Sequence, residues 1–498
     1  MRPLRTLASL ALLGSLVACG GDGSETGPVG PPPPTYLPAD GVTIERVAIY
    51  QGLERDLMKD GAAVSEGVRV VAGRDALVRV FYKTDAAYDG NPVLATLTIA
   101  EDASAAGAGG GSGDAANTSA ASQTFEIAGT LGTESSGDNL ATTLNFEVPG
   151  KYLTPTSTFR VQLLRAAAQS SGQNAKASYP AAGAQPVGAV SVGSTVRIVI
   201  VPIRYDADGS GRLPDTSPEQ LALYRDLMWK LYPVPEIEIR VADPLPSSIK
   251  VTGAGQGWGE LLNQVASHRQ KSGAAFDEYY YGLFRADETF EKFCGSGCIA
   301  GLSQLALNAF NDFARVGIGI GFSGEGMAMT AAHEIGHEHG RGHAPCGTNQ
   351  GLDAGYPHSN AAIGVPGYDL LQKQLKPSSM KDYMSYCDPK WTSDFTFEAM
   401  LDRIQTVNNA ATSLVLGEPQ RYERVAIDMD GTARWLEPID LTLPPTGEPE
   451  PIRVEGPDGA KEFVGQFFPY SHLPGGTVLF PANAKAERVH VRGWTVTR

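Results

Sequence analysis

Between about Gly41 and Val192, apolar and polar residues alternate over short runs broken by Gly, Asp and Pro. "TIERVAIY", "DALVRVFYK", "VLATLTIA", "TTLNFEVPG" and "TFRVQLLRA" are rich in β-branched residues and keep the period of two that marks half-buried strands. The pattern predicts an immunoglobulin-like β-sandwich over residues 42–193. Near Ser194 the rhythm changes. "TVRIVIVPIRY" is almost continuously apolar, as a strand covered on both faces must be. "SPEQLALYRDLMWKLYP" has helical spacing, with Ser217 as N-cap and Pro218 at the first helical position. "EIEIRVADP", "GWGELLNQVASHRQKS", "DEYYYGLF" and "RVGIGIGF" follow as strand, helix, strand and strand, before "GMAMTAAHEIGHEHG", a helix closed by Gly340. That order predicts an α/β unit with a largely parallel sheet over residues 194–415. Strand-and-turn texture then returns, predicting a smaller β domain over residues 416–498.

Two stretches fit neither pattern. "ASAAGAGGGSGDAANTSAAS" is low in complexity and too small-residued to build a core, so a floppy loop is expected there. At the N-terminus, Arg2 and Arg5 precede "LASLALLGSLVA", which is too short to span a bilayer and reads as an export signal. It ends in "LVAC", which resembles the lipobox of bacterial lipoproteins. That resemblance implies a signal peptide over residues 1–18, cleavage before Cys19 and acylation of Cys19. Residues 19–41, Gly-rich and then Pro-rich, would be a tether. The expectation is an exported lipoprotein held on the cell envelope by its lipid. The net charge of −15 argues against a nucleic-acid partner, whose phosphates call for clustered Lys and Arg.

Export changes how the cysteines read. Besides Cys19 there are four, Cys294, Cys298, Cys346 and Cys387, and an even number in an oxidising compartment predicts two disulfides among three pairings. Cys294–Cys298 with Cys346–Cys387 is the preferred set. A second motif, "DADGSGR" (Asp206 to Arg212), opens like a calcium loop. Its twelfth position is Ser217 rather than Glu and a strand precedes it, so a polar turn is expected there and calcium is the alternative.

Four of the eight histidines fall within "HEIGHEHGRGH", residues 333–343. On a helix over residues 327–339, His333 and His337 are four apart and share one face, within reach of a single ion. Glu334 borders that face. His339 points elsewhere, as a surface or supporting residue. Gly340 ends the helix in the left-handed conformation, which lets the chain turn sharply and bring back His343 as a third ligand. Three imidazoles suit Zn²⁺ and leave its fourth position open, the arrangement of a catalytic site.

His333-Glu334-Ile335-Gly336-His337-Glu338-His339-Gly340-Arg341-Gly342-His343 resembles the metzincin signature H-E-x-x-H-x-x-G-x-x-H at every fixed position. "DYMSYC", 41 residues on, resembles the methionine turn of that clan, which implies an apolar floor role for Met384. In the astacin-like and serralysin-like branches a Tyr two residues after that Met can ligate resting zinc and then bind the reacting carbonyl; Tyr386 stands there. The resemblance covers about residues 194–412. It implies an α/β metzincin-like catalytic domain flanked by N-terminal and C-terminal β-sandwich-type domains. Under it, a Cys346–Cys387 disulfide would pin the ligand loop to the methionine turn.

The implied activity is that of a zinc-dependent endopeptidase acting on extracellular proteins or glycoproteins, with Glu334 as general base on a zinc-bound water. An extended substrate could add to a sheet edge at "CIAGLS" or "RVGIGIGF", and residues 347–381 would wall the cleft. The competing class is a lipid-anchored adhesin or glycan-binding protein whose zinc is merely structural. Glu334 separates the two, because it adds nothing to holding a metal.

Overall fold

Alternating burial along the strands organises the N-terminal third of the chain. In Ser157–Ala166, Phe159, Val161 and Leu163 turn inward while Arg160 and Gln162 face out. This strand pairs antiparallel with Val93–Glu101, which pairs in turn with Ser122–Gly129. A second antiparallel sheet is built on Val42–Tyr50, Glu54–Lys59, Ala76–Thr84 and Leu144–Val148. Val47, Val78 and Phe146 of this sheet share one apolar cluster with Leu97, Phe159 and Val161 of the first, so the two sheets bury each other's inner faces. The computed structural model describes residues 35–102, 122–193, 195–414, 417–457, 459–482 and 486–498. The signal peptide, Cys19, most of the tether and nearly all of the low-complexity loop lie outside the described residues.

The middle of the chain runs β1 (Val196–Tyr205), α1 (Pro218–Leu231), β2 (Ile237–Val241), α2 (Trp258–Lys271), β3 (Glu278–Phe284), β4 (Gly301–Ser303), β5 (Val316–Ile320) and α3 (Glu325–Glu338), with α4 (Asp394–Ser413) further on. Strand order is β2-β1-β3-β5-β4. The first four are parallel, and β4 lies antiparallel at the edge. β1 is apolar from Ile198 to Ile203 because both of its faces are covered there. Ile198 and Ile200 join Tyr224 and Met228 of α1 and Ile335 of α3, whereas Val199 and Val201 join Leu261 and Val265 of α2. Ser217 caps α1, its hydroxyl accepting the Gln220 amide at 3.3 Å, with Pro218 next in line.

Among the described residues from 420 to 497, seven antiparallel strands form a single sheet. The sheet curls until its two outer strands meet, with the Trp435 indole donating to the Val496 carbonyl at 3.3 Å. Val425, Ile452, Phe467 and Val478 fill its inside. One hairpin, β6 (Gly459–Pro469) and β7 (Gly476–Pro481), projects its turn toward β4.

The expected fold class is corrected by these proportions. Strand makes up 39% and helix 19% of the described residues, so this is a β-rich fold and not an α/β metzincin catalytic domain with flanking sandwiches. The strand–helix alternation read between residues 194 and 338 is real but local. Antiparallel ladders before and after it take up more of the chain, and the C-terminal part closes as one curled sheet because its apolar residues can cover one another without a second layer.

Candidate metal centre

α3 ends in a hydrogen-bonded reversal. The Arg341 amide donates to the Gly336 carbonyl (3.0 Å) and the Gly340 amide to that of His337 (2.8 Å), with Gly340 at φ +80°. A side chain at Gly340 would also collide with the Ala306 carbonyl, 2.8 Å from where a Cβ would lie. The reversal brings His343 back beside the helix, so that His337 Nε2 and His343 Nε2 are 3.2 Å apart. Two ligands on a tetrahedral ion with bonds of about 2.0–2.1 Å would be about 3.3–3.4 Å apart. His333, one turn earlier on α3, completes the trio, its ring 4.8 Å from that of His337.

Each of these rings has its outer nitrogen pinned by a backbone carbonyl. His333 Nδ1 pairs with Tyr383 O (2.9 Å), His337 Nδ1 with Arg341 O (2.7 Å) and His343 Nδ1 with Gln350 O (2.6 Å). A carbonyl can only accept, so each Nδ1 carries the proton and each Nε2 presents a lone pair inward. Burial keeps the rings neutral: it drives His333 and His337 well below the usual histidine range and His343 down to about 4. His333 Nε2 is buried without any hydrogen-bond partner. An orphaned imidazole nitrogen facing two others is the donor set that a divalent cation satisfies.

A fourth histidine joins them. His472, in the turn between β6 and β7, belongs with His333, His337 and His343 to a group whose ligand atoms all lie within 4.8 Å of one another. This cluster can hold a metal ion; it is the one group of its kind found among the described residues. Nothing in the sequence foretold His472. It stands alone in "FPYSHLPGG", more than a hundred residues past the motif, with no periodicity to mark it.

Glu334 is buried beside the cluster, with Oε1 2.7 Å from His472 Nε2 and Oε2 accepting from the Ser471 hydroxyl at 3.4 Å. It fits only because residue 301 is glycine: a Cβ there would come within 2.4 Å of Oε1. Tyr386 is nearly half exposed, and its hydroxyl is bonded to His472 Nδ1, so its partner here is a histidine rather than the metal position itself. Met384 is buried under α3, where its sulfur would lie 2.5 Å from a Cβ on Gly336. His339 is excluded from the cluster as expected, but it is not a surface residue. It is buried, stacked on Tyr279 at 4.1 Å, with Nδ1 pointing back to Ile335 O. Glu338 is wholly buried with neither oxygen hydrogen-bonded, and burial pushes its carboxyl well above the usual range, so it is held protonated.

No protein-family model and no curated protein matches this chain.

Beside the histidines opens a cleft of about 690 Å³, lined among others by Ala300, Gly301, Met329, Thr330 and Lys390. Of the residues expected to wall it, 347–381, only Thr348 and Gln350 reach it. Gly367 and Tyr368 instead bind back to the N-terminal sheets, where the Tyr368 amide donates to Gly52 O at 2.9 Å. That stretch mainly docks one part of the protein on another. The Asp206–Arg212 segment is a polar turn in which Asp208 binds the Ser210 amide and the Arg212 guanidinium.

Both preferred disulfides are present. Cys294–Cys298 closes a four-residue separation, and Cys346–Cys387 joins the loop after His343 to the segment after Met384. That second link reinforces backbone bonds from Ala344 to Met384 and from Tyr386 to Cys346. Two disulfides indicate an extracellular or periplasmic protein. Among the described residues no helix is long and apolar enough to cross a membrane.

Proposed function

We propose that this protein is a zinc-dependent endopeptidase of the exported protein fraction, lipid-anchored through Cys19. The observation that carries the reading is a buried carboxylate, Glu334, 2.7 Å from His472 of the four-histidine cluster. It rests on the site and owes nothing to the fold, which differs from that of the clan whose signature the motif resembles.

His333, His337 and His343 would hold the ion. A bound zinc supplies Lewis acidity toward a scissile carbonyl and lowers the pKa of water toward neutrality. Glu334, with Oε1 turned to the cluster, takes a proton from the attacking water and passes it to the leaving amine. Its backbone carbonyl accepts the Ser303 hydroxyl at 3.0 Å, which fixes this turn of α3 against β4. Tyr386, once free of His472, is near enough to the histidine rings to donate to a developing oxyanion; its ring lies 5.2 Å from that of His343. The phenol stays protonated as a donor because burial raises its pKa. The substrate would be an extended segment of an extracellular protein or glycoprotein.

A structural, non-catalytic metal site in a binding protein is the second reading, and His472 favours it, since four histidines can close a tetrahedral ion completely. The two are separated by comparing wild type and Glu334→Gln after zinc loading. A peptidase predicts equal metal content and new peptide termini from wild type alone, read by mass spectrometry. If neither protein cuts any of a broad set of folded, unfolded and glycosylated substrates, even with His472 replaced, the peptidase reading is refuted.

A further inference from the structure

The turn that carries His472 does more than supply one imidazole. It pairs with the chain at the C-terminal end of β4, the edge strand of the central sheet. Tyr470 bridges Gln304 in antiparallel register, the Leu305 amide donates to Pro469 O (3.2 Å), and the Ser471 amide donates to Ser303 O (3.0 Å). The Ser303 amide in turn donates to the Ser471 hydroxyl at 3.0 Å. Past the end of that pairing His472 enters the site. Its Nε2 comes within 2.7 Å of Glu334 Oε1 but lacks the alignment of a hydrogen bond and has no other such partner. That nitrogen therefore lies beside the general base, on the side where an attacking water would have to stand, and the ring belongs to a group whose ligand atoms all lie within 4.8 Å of one another. Its other nitrogen is engaged by the Tyr386 hydroxyl, which occupies the phenol as well.

The geometry points to an internal plug: the β6–β7 turn occupies the place of a peptide substrate, and His472 fills the fourth coordination position, so that the structure is the latent form of the enzyme. This rests on the peptidase reading for its consequence. Mutual exclusion follows from the atoms involved. An extended substrate gains register by pairing with a free sheet edge, yet the Ser303 and Leu305 backbone groups are already taken. A peptide carbonyl and an attacking water both need the position that His472 Nε2 holds. The histidine cluster, the base and the phenol are thus all met by one residue of a distant part of the chain. The plug is also well seated. Tyr470 is buried and its hydroxyl accepts from the Asn263 amide at 2.8 Å, while Leu473 packs on the cluster around Trp258. Opening therefore requires the turn to leave as a unit, pulling Tyr470 and Leu473 out of that core, and a rotamer change at His472 alone would leave Ser303 and Leu305 paired.

The test uses the full chain loaded with Co²⁺, whose visible absorption reports the number and kind of its ligands, and acetohydroxamate as a small probe of an open coordination position. Three proteins are compared: wild type, His472→Ala, and Ser471→Pro. The last keeps the imidazole but removes the amide that pairs with Ser303. Wild type is expected to hold Co²⁺ in a spectrum that millimolar acetohydroxamate leaves unchanged. His472→Ala should keep its metal, bind the probe at least tenfold more tightly with a spectral shift, and cleave peptides that wild type spares; Ser471→Pro should fall between. Equal probe affinity in wild type and His472→Ala overturns the plug, as does wild-type peptide cleavage at the rate of the variant. Loss of the metal on removing His472, with Ser471→Pro still closed to the probe, overturns it in favour of a structural four-histidine site. Opening to the probe without any peptide cleavage supports the plug and sinks the peptidase reading, so the two failures are told apart.

Discussion

Removing the Cys346–Cys387 disulfide tests whether the metal centre is held from outside the helix. The bond spans a sequence separation of 41. In the chain-entropy model, closing a loop of that length removes enough freedom from the unfolded chain to stabilise the fold by about 3.9 kcal/mol at 25 °C. The same relation gives about 1.9 kcal/mol for a separation of four, the case of Cys294–Cys298, so the two links should differ by about 2 kcal/mol. Their local effects should differ too. Cys346 follows His343 by three residues, and the loop it anchors includes Gln350, whose carbonyl orients the His343 ring at 2.6 Å. Loosening a support of this kind weakens metal binding by about tenfold or more. Urea unfolding of the metal-free double variants C346S/C387S and C294S/C298S measures the first quantity, and zinc competition with a chromophoric chelator the second. The reasoning fails if C346S/C387S costs no more stability than C294S/C298S, or if its zinc affinity equals that of wild type.

Three further outcomes are expected. Zinc at a hundredfold excess over its dissociation constant should stabilise the fold by about 2.7 kcal/mol in chemical unfolding, an increment that His343→Ala largely abolishes. Arg74 is fully buried and donates to the carbonyls of Trp229 (2.6 Å), Tyr232 (2.8 Å) and Val234 (2.6 Å) at the end of α1. Arg74→Met would strand those acceptors and should cost about 3–5 kcal/mol in urea unfolding, with a loss under 1 kcal/mol counting against the account. His268 on α2 is depressed below the usual 6.5 by burial. Its folded pKa lies below its unfolded one, so its contribution is present above about 6.5 and is lost as pH falls through the folded value. In zinc-loaded protein, His268→Gln should therefore lose less stability than wild type between pH 7 and pH 5, and an identical slope in the two proteins would contradict this.

The local elements were legible because their signals are local. Ser217 followed by Pro218 marks the start of α1, and a nearly continuous apolar run marks β1; both are short-range consequences of helix capping and of burial on two faces. The order of strands and helices after Ser194 is legible for the same reason, yet it does not reveal the fold class. Periodicity reports whether a segment is strand or helix, but the balance of antiparallel and parallel ladders over the whole chain depends on which strands meet. Residues 347–381 show the same limit. Their polar, turn-rich composition fits a cleft wall, whereas Gly367 and Tyr368 bind the N-terminal sheets.

For the metal centre the division is sharp. The sequence by itself brought together three of the four histidines that could hold a metal ion, and a carboxylate, because helical spacing puts His333, His337 and Glu334 together and Gly340 permits the reversal that returns His343. Each of those contacts spans ten residues or fewer. Only the tertiary structure decided that a fourth imidazole belongs there, that Tyr386 is engaged by it, and that Ser303 at the end of β4 is already paired with the turn that carries it. His472 lies 129 residues beyond His343 in the chain. A contact over that distance depends on how the curled C-terminal sheet docks against β4, and docking of that kind is settled by the packing of Tyr470 and Leu473 into the core around Trp258, a long-range fit that leaves no periodic mark on the residues that make it.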